Sequence, residues 1–292
     1  MRDQADRLRS IVRKQKSYKV ELNSDMRIIA ITSGKGGVGK TNLSVNLAIN
    51  MVRLGKRVVV IDADFGLSNV EVIMGVNPVF TFKDVLAGVV TLPEALTNGP
   101  GGVKFLSGGS GFTQFADMTD AQLAVLVNGL KQLQDLADIV LIDTSAGMSR
   151  SVTNLLRASH EVVIVTTSDP TSIADAYTVI KLMTEDSPDI PNVKAVVNRV
   201  ESSKEGIAVF SRLQRVCNRF LQIGIASSGL IPEDKQLGQA VKAREPVAIL
   251  YPSSDSNRSI EKIAKKLLNA PTSSSSSIIG FMERWLKLTK RK

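Results

Sequence analysis

A single doubly wound α/β domain on a mostly parallel sheet is predicted by three features of the 292-residue sequence. Short, uninterrupted, β-branched apolar runs recur through residues 25–269. Stretches of helical periodicity separate them, and a glycine-rich loop joins the first run to the first helical stretch. Continuous apolar runs suit strands buried on both faces. Their alternation with helices implies βαβ units, whose crossovers cover a parallel sheet.

Taken in order, residues 1–24 are polar and helix-prone, with Ala5, Leu8, Ile11 and Val12 at helical spacing. The strand-like runs follow: Arg27–Thr32, Val58–Asp62, Val103–Ser107, Ile139–Asp143, Glu161–Thr166, Val193–Asn198 and Gly229–Pro232. Residues 270–277 form a Ser-rich linker that cannot build a core. Residues 278–292 then form a separate amphipathic helix, and no internal repeat is present.

Composition narrows the function classes. At 43% hydrophobic and 22% charged residues the chain supports a sizeable core. Its one cysteine, Cys217, excludes a disulfide framework and an intrachain cysteine metal cluster, and reads as a small core residue. No run of about 18 apolar residues is present to span a bilayer. The charged start has no apolar segment behind it, so a cytoplasmic location is expected. The net charge of +9 gathers at the two ends, which suits attachment to an acidic surface.

The chemistry begins at Gly34-Lys35-Gly36-Gly37-Val38-Gly39-Lys40-Thr41, between the run Ile28–Thr32 and a helix reaching Asn50. Glycines let successive backbone N–H groups turn inward around phosphate oxygens, and the helix N-terminus adds its partial positive charge. Strand, loop and helix together form the P-loop context, which a chance glycine-rich turn lacks. Lys40 is expected on the β- and γ-phosphates and Thr41 on Mg²⁺. Gly34, Lys35, Gly36, Gly37, Val38, Gly39, Lys40, Thr41 and Asn42 form the candidate phosphate cradle. Asp62, Asp64 and Asp143 each follow an apolar run, at the carboxyl ends of strands where open α/β sheets collect ligands.

The second lysine of the loop makes the pattern more specific. GKGGVGKT resembles the deviant P-loop of the MinD/ParA superfamily, and the resemblance covers residues 26–268. It implies an ATP hydrolase that uses ATP and Mg²⁺ and closes a homodimer around nucleotide. Lys35 is then the lysine that reaches the partner subunit's phosphates, a cation supplied in trans. The resemblance also makes Asp64 the residue that positions the attacking water, with Lys35 and Lys40 completing the catalytic set. Thr41, Asp62 and Asp143 are the expected metal residues. Residues 63–69 resemble switch I and residues 143–147 switch II, with Ser145 where Pro is common. Asn198, Pro232 and Glu233 match the adenine-holding segments.

Within the superfamily, the lone cysteine argues against iron–sulfur carriers and the absence of a tyrosine-rich tail against tyrosine kinases. Residues 278–292 place Ile278, Phe281, Met282, Trp285 and Leu286 on one half of a helical wheel, with Arg and Lys opposite. Such a helix suits an anionic membrane interface, each basic residue adding about 1 kcal/mol. Trp285, the only tryptophan, is expected to shift its emission to the blue on entering lipid. Asp3, Gln4, Ala5, Leu8 and Arg9 resemble the DQAxxLR element of the FlhG branch, which stimulates the partner GTPase FlhF. Residues 81–88 also resemble that branch, without an evident chemistry. The expected role is flagellar placement or number control from the inner membrane face. Expected partners are an FlhF-type GTPase related to the signal-recognition-particle family, and C-ring proteins of the basal body; no nucleic acid is expected. The alternatives are a MinD division-site regulator and a ParA-like positioner of DNA or cargo.

Overall fold

The computed structural model describes residues 26–64, 69–109, 120–185, 190–270 and 278–289. Residues 1–24, expected to activate a partner GTPase, and most of the Ser-rich linker therefore lie outside the described residues.

Eight strands form one sheet: β1 (Arg27–Thr32), β2 (Val58–Ala63), β3 (Thr97–Asn98), β4 (Lys104–Leu106), β5 (Ile139–Thr144), β6 (Glu161–Thr166), β7 (Asn192–Val200) and β8 (Ala226–Pro232). Their spatial order is β3-β4-β2-β5-β1-β6-β7-β8. Every pairing is parallel except β3 with β4. The seven expected runs all became strands, with ends displaced by up to three residues. The two-residue β3 carries no periodicity and was not anticipated.

Twelve α-helices complete the described architecture. They are α1 (Lys40–Arg53), α2 (Asn69–Met74), α3 (Phe82–Leu86), α4 (Leu92–Ala95), α5 (Asp120–Gln132) and α6 (Arg150–Ala158). The remainder are α7 (Pro170–Thr184), α8 (Ser203–Leu221), α9 (Lys235–Ala243), α10 (Val247–Leu250), α11 (Asp255–Leu268) and α12 (Ile278–Thr289).

Side chains alternate across the sheet, as the two-residue strand period requires. Ile29, Ile31, Val58, Val60, Ile139 and Leu141 pack with α1, α2 and α11 on one face. Ile28, Val59, Ile61, Val140 and Ile142 pack on the other with α3, α5, α6 and α12. The same parity turns Asp62 and Asp143 toward the α1 face, where the glycine loop lies. A further cluster on the second face joins α6, α7 and α8 to β6 and β7, with Cys217 fully buried in it.

The C-terminal helix is seated on the domain. Phe281, Met282 and Trp285 are 1%, 4% and 2% exposed, inside the cluster that includes Phe82, Leu126, Leu130 and Leu155. Arg284 donates from Nε and Nη2 to the Ala158 carbonyl at 3.1 and 2.9 Å, and Asn154 donates to the Leu288 carbonyl at 3.1 Å. These bonds satisfy carbonyls at the ends of both helices, which have no intrahelical donor. The side chains of Ile278 and Leu286 lie outside the described residues. The apolar face expected to meet membrane thus meets the domain's own core here, because the same stripe satisfies either environment.

Candidate nucleotide site

The loop between β1 and α1 has the geometry its glycines predict. Gly39 caps α1 in the left-handed region, at φ 94°. A β-carbon there would stand 2.3 Å from Asn198 Nδ2, so residue 39 can carry no side chain. Asn198 is itself buried and donates from Nδ2 to the Val38 carbonyl at 2.7 Å. One strand end of the sheet's far half therefore braces the loop. Gly147, in the segment resembling switch II, donates to the Ser33 carbonyl at 3.2 Å and ties the turn after β5 to the same loop.

The carboxylates converge below the loop. Register pairs Asp62 with Asp143 across β2 and β5. Asp62 accepts from the backbone N–H groups of Asp64 at 2.9 Å and Val70 at 3.2 Å. Burial, then the charge of Asp143, push the Asp62 carboxyl up to about 7 against those two bonds. Burial raises Asp143 as well, opposed by the Lys40 ammonium and by the hydroxyls of Thr41 and Ser44. Ser44, one turn beyond Lys40, donates to Asp143 Oδ1 at 2.8 Å and was not foreseen from the sequence. Its only signal was its position on the face of α1 that carries Lys40.

Two buried acceptors in this site have no hydrogen-bond partner: Asp143 Oδ2 and Asn198 Oδ1. Orphaned buried acceptors are costly and uncommon, and they mark where a ligand or ion fits. A buried carboxylate oxygen beside Thr41 suits a hard cation such as Mg²⁺, which takes few protein oxygens and leaves other positions to phosphate and water. An amide oxygen beside the loop suits a base amine. The residues present therefore fit a magnesium nucleotide. Pro232 and Glu233 sit at the adjoining strand end, where Pro232 pairs with Val200 and Glu233 N–H donates to the Val200 carbonyl at 3.1 Å.

Lys35 stands apart from this convergence. It is exposed on the loop and its ammonium binds Asp169 Oδ2 at 2.7 Å and Thr171 Oγ1 at 2.9 Å, at the start of α7. The Lys35 ammonium, with the Thr171 N–H and hydroxyl that also donate to Asp169, lowers that carboxyl to about 2. Lys40, by contrast, is buried beside Asp143. The two lysines of one loop thus have opposite settings. A solvent-exposed ion pair holds weakly, so Lys35 can leave Asp169 for a stronger anion.

A P-loop at the carboxyl end of a parallel sheet, with two carboxylates beneath it, defines a nucleotide-binding protein of the P-loop class. The profile of the CobQ/CobB/MinD/ParA nucleotide binding domain matches residues 29–247, and the chain belongs to that family. It is similar to the antiactivator FleN of Pseudomonas aeruginosa, 38% identical over 84% of this chain and 88% of that one. It is also similar to the flagellum site-determining protein YlxH of Helicobacter pylori, 34% identical over 92% and 91%. Among solved structures, MinD of Pyrococcus horikoshii complexed with Mg-ADP superposes with a TM-score of 0.68 at 26% identity. That match covers 84% of this chain and 96% of that one. The chain is a MinD-like P-loop ATPase that uses ATP and Mg²⁺. Among the described residues, no helix is long and apolar enough to cross a membrane.

Proposed function

We propose that the chain is a flagellar-placement ATPase in which ATP closes a homodimer and frees the C-terminal helix for an anionic membrane. The observation that carries this reading is the seat of α12. Burying Phe281, Met282 and Trp285 is worth on the order of 6 kcal/mol before ordering costs. A lipid interface offers the same side chains a similar gain. The helix can therefore exchange one environment for the other at small net cost, and a modest nucleotide-driven bias decides between them.

The residues divide the work. Gly34 to Asn42 hold the phosphates, with Lys40 in cis, while Asn198, Pro232 and Glu233 adjoin the base. Thr41, Asp62 and Asp143 would hold Mg²⁺, which supplies charge neutralisation at the phosphates when bound. Asp64 orients the attacking water. Lys35 leaves Asp169 for the partner subunit's nucleotide, which supports a site completed only in the dimer. The flagellar relatives support the branch, and residues 1–24 are read as the segment that activates an FlhF-type GTPase. C-ring proteins are the expected structural partners. A peptide of residues 1–19 should speed GTP hydrolysis by such a GTPase, and Gln4→Ala should weaken the effect. Equal rates with and without peptide would remove that role.

One short amphipathic helix holds a membrane reversibly. Two helices on one dimer make the second insertion intramolecular, raising avidity by roughly 10²–10⁴. Sedimentation with anionic vesicles should therefore show strong binding with ATP and weak binding with ADP. Trp285→Glu should abolish both. Equal binding with either nucleotide would defeat the valence mechanism, and no binding in any state would defeat the membrane role itself.

The buried position of Trp285 corrects the simple optical expectation. Its emission already starts in an apolar setting, so lipid entry alone gives no plain blue shift. ATP without vesicles should move emission to the red, and vesicles should return it.

A further inference from the structure

We propose that Ser107, held by Glu71, is a positioning residue that couples the carboxylate pair of the nucleotide site to the seat of the C-terminal helix. The inference rests on the proposed release of that helix with ATP and identifies the residues that transmit it.

The connection is continuous. Asp62 Oδ2 accepts the Val70 N–H at 3.2 Å, which fixes the first turn of α2 to the carboxylate expected at the metal. The next residue, Glu71, accepts the Ser107 hydroxyl at 2.7 Å through Oε2. Ser107 is 1% exposed, directly beyond β4. Its carbonyl accepts the Phe82 N–H at 2.8 Å, and a parallel bridge pairs it with Thr81. Thr81 is locked in turn by Asp84, which accepts from its N–H and its hydroxyl, each at 2.8 Å. The entry to α3 is thereby rigid. Phe82, the first residue of α3, is 1% exposed and lines the seat together with Phe281 and Trp285.

The seat is also the place where a shift can be absorbed. A cavity of about 20 Å³ lies among Phe82, Leu126, Leu130, Leu155, Phe281 and Trp285. Close packing passes displacement on from neighbour to neighbour. A void beside Phe82 gives its ring somewhere to move, and the helix above it has two environments of similar free energy. Any displacement of the Asp62 carboxylate passes to the Val70 N–H that it holds. The Glu71–Ser107 bond carries that shift across to β4, and the Ser107 carbonyl carries it to Phe82. This gives the segment Thr81–Gly88 a task that its sequence did not disclose: it is the floor of the tail's seat.

Thermodynamic linkage supplies a test in both directions, because binding couplings are reciprocal. Iodide quenching of Trp285 without lipid reads the tail, and a fluorescent ATP analogue reads the site, all in full-length protein. In the unmodified chain, Mg-ATP should increase quenching. Phe281→Glu, which unseats the helix, should tighten ATP binding about fivefold or more, at the lower end of typical allosteric coupling. In Ser107→Ala, ATP should still bind, but quenching should no longer respond to it. In that background Phe281→Glu should change ATP affinity by less than about twofold, which a double-mutant cycle resolves. Glu71→Ala should behave like Ser107→Ala, while Glu71→Gln keeps an acceptor and should restore the coupling. A purely structural role would lower stability in the two alanine variants while leaving the quenching response to ATP in place. If Ser107→Ala responds to ATP as the unmodified chain does, the coupling role is overturned and tail release stands. If the unmodified chain shows no ATP response, tail release falls and the coupling falls with it.

Discussion

Replacing Lys35 by alanine is expected to slow ATP hydrolysis by roughly 10³-fold or more, the range in which a cation supplied in trans acts on phosphoryl transfer. Affinity of the single subunit for ATP should change little, because Lys35 points away from the nucleotide site toward Asp169 and Thr171. Lys40→Ala should do the reverse. Lys40 is buried next to Asp143, so its loss removes a phosphate donor and leaves that carboxylate without its cation. Losing a charge-assisted bond of this kind costs about 2–3 kcal/mol, or roughly 30- to 150-fold in ATP affinity. Titration with a fluorescent nucleotide and a steady-state phosphate assay separate the two variants. Equal losses of affinity would contradict the assignment of Lys35 to the partner's nucleotide.

The second large effect concerns Asp62. Its carboxyl titrates at about 7 in the folded chain, raised by burial and by Asp143, against 3.8 for the free side chain. A raised acid destabilises the fold as it ionises. The stability it allows is complete below the unfolded value near 4 and is lost as pH rises through about 7. Between pH 5 and 7.5 the nucleotide-free chain should therefore lose on the order of 2 kcal/mol that Asp62→Asn does not lose. The variant's lead in melting temperature over the unmodified chain should be several degrees wider at pH 7.5 than at pH 5. Mg-ATP should narrow the gap, since a cation favours the ionised carboxylate. The same substitution should abolish hydrolysis, so the site trades stability for chemistry. Parallel pH profiles for the two proteins would contradict this account of Asp62.

What the sequence disclosed follows from distance along the chain. The phosphate loop is contiguous, and its glycines and lysines lie within eight residues, so their pattern alone defines the geometry. Asp62 and Asp143 were legible because each ends an apolar run. Their pairing was not, since it depends on β2 lying beside β5. Asn198 was visible as a candidate by resemblance, but its contact with the Val38 carbonyl spans 160 residues and has no local sign. The bond from Lys35 to Asp169 is equally remote.

Residues 278–292 show a different limit. An amphipathic stripe records that an apolar face must be covered and does not record by what. Phe281 and Trp285 satisfy that requirement against Phe82 and Leu155. In the proposed cycle, the seat and the membrane are two states of one helix, which is what a localisation switch requires.

The central claim is that ATP joins two copies of the chain. Asp64→Ala removes the water-positioning carboxylate while leaving the phosphate loop and Lys35 intact, so it should hold the ATP state without turning it over. The mass of this variant by light scattering, with Mg-ATP and then with Mg-ADP, tests that claim directly. Twice the chain mass with ATP, and a single chain mass with ADP, is the expected result; a single chain mass in both conditions would contradict it.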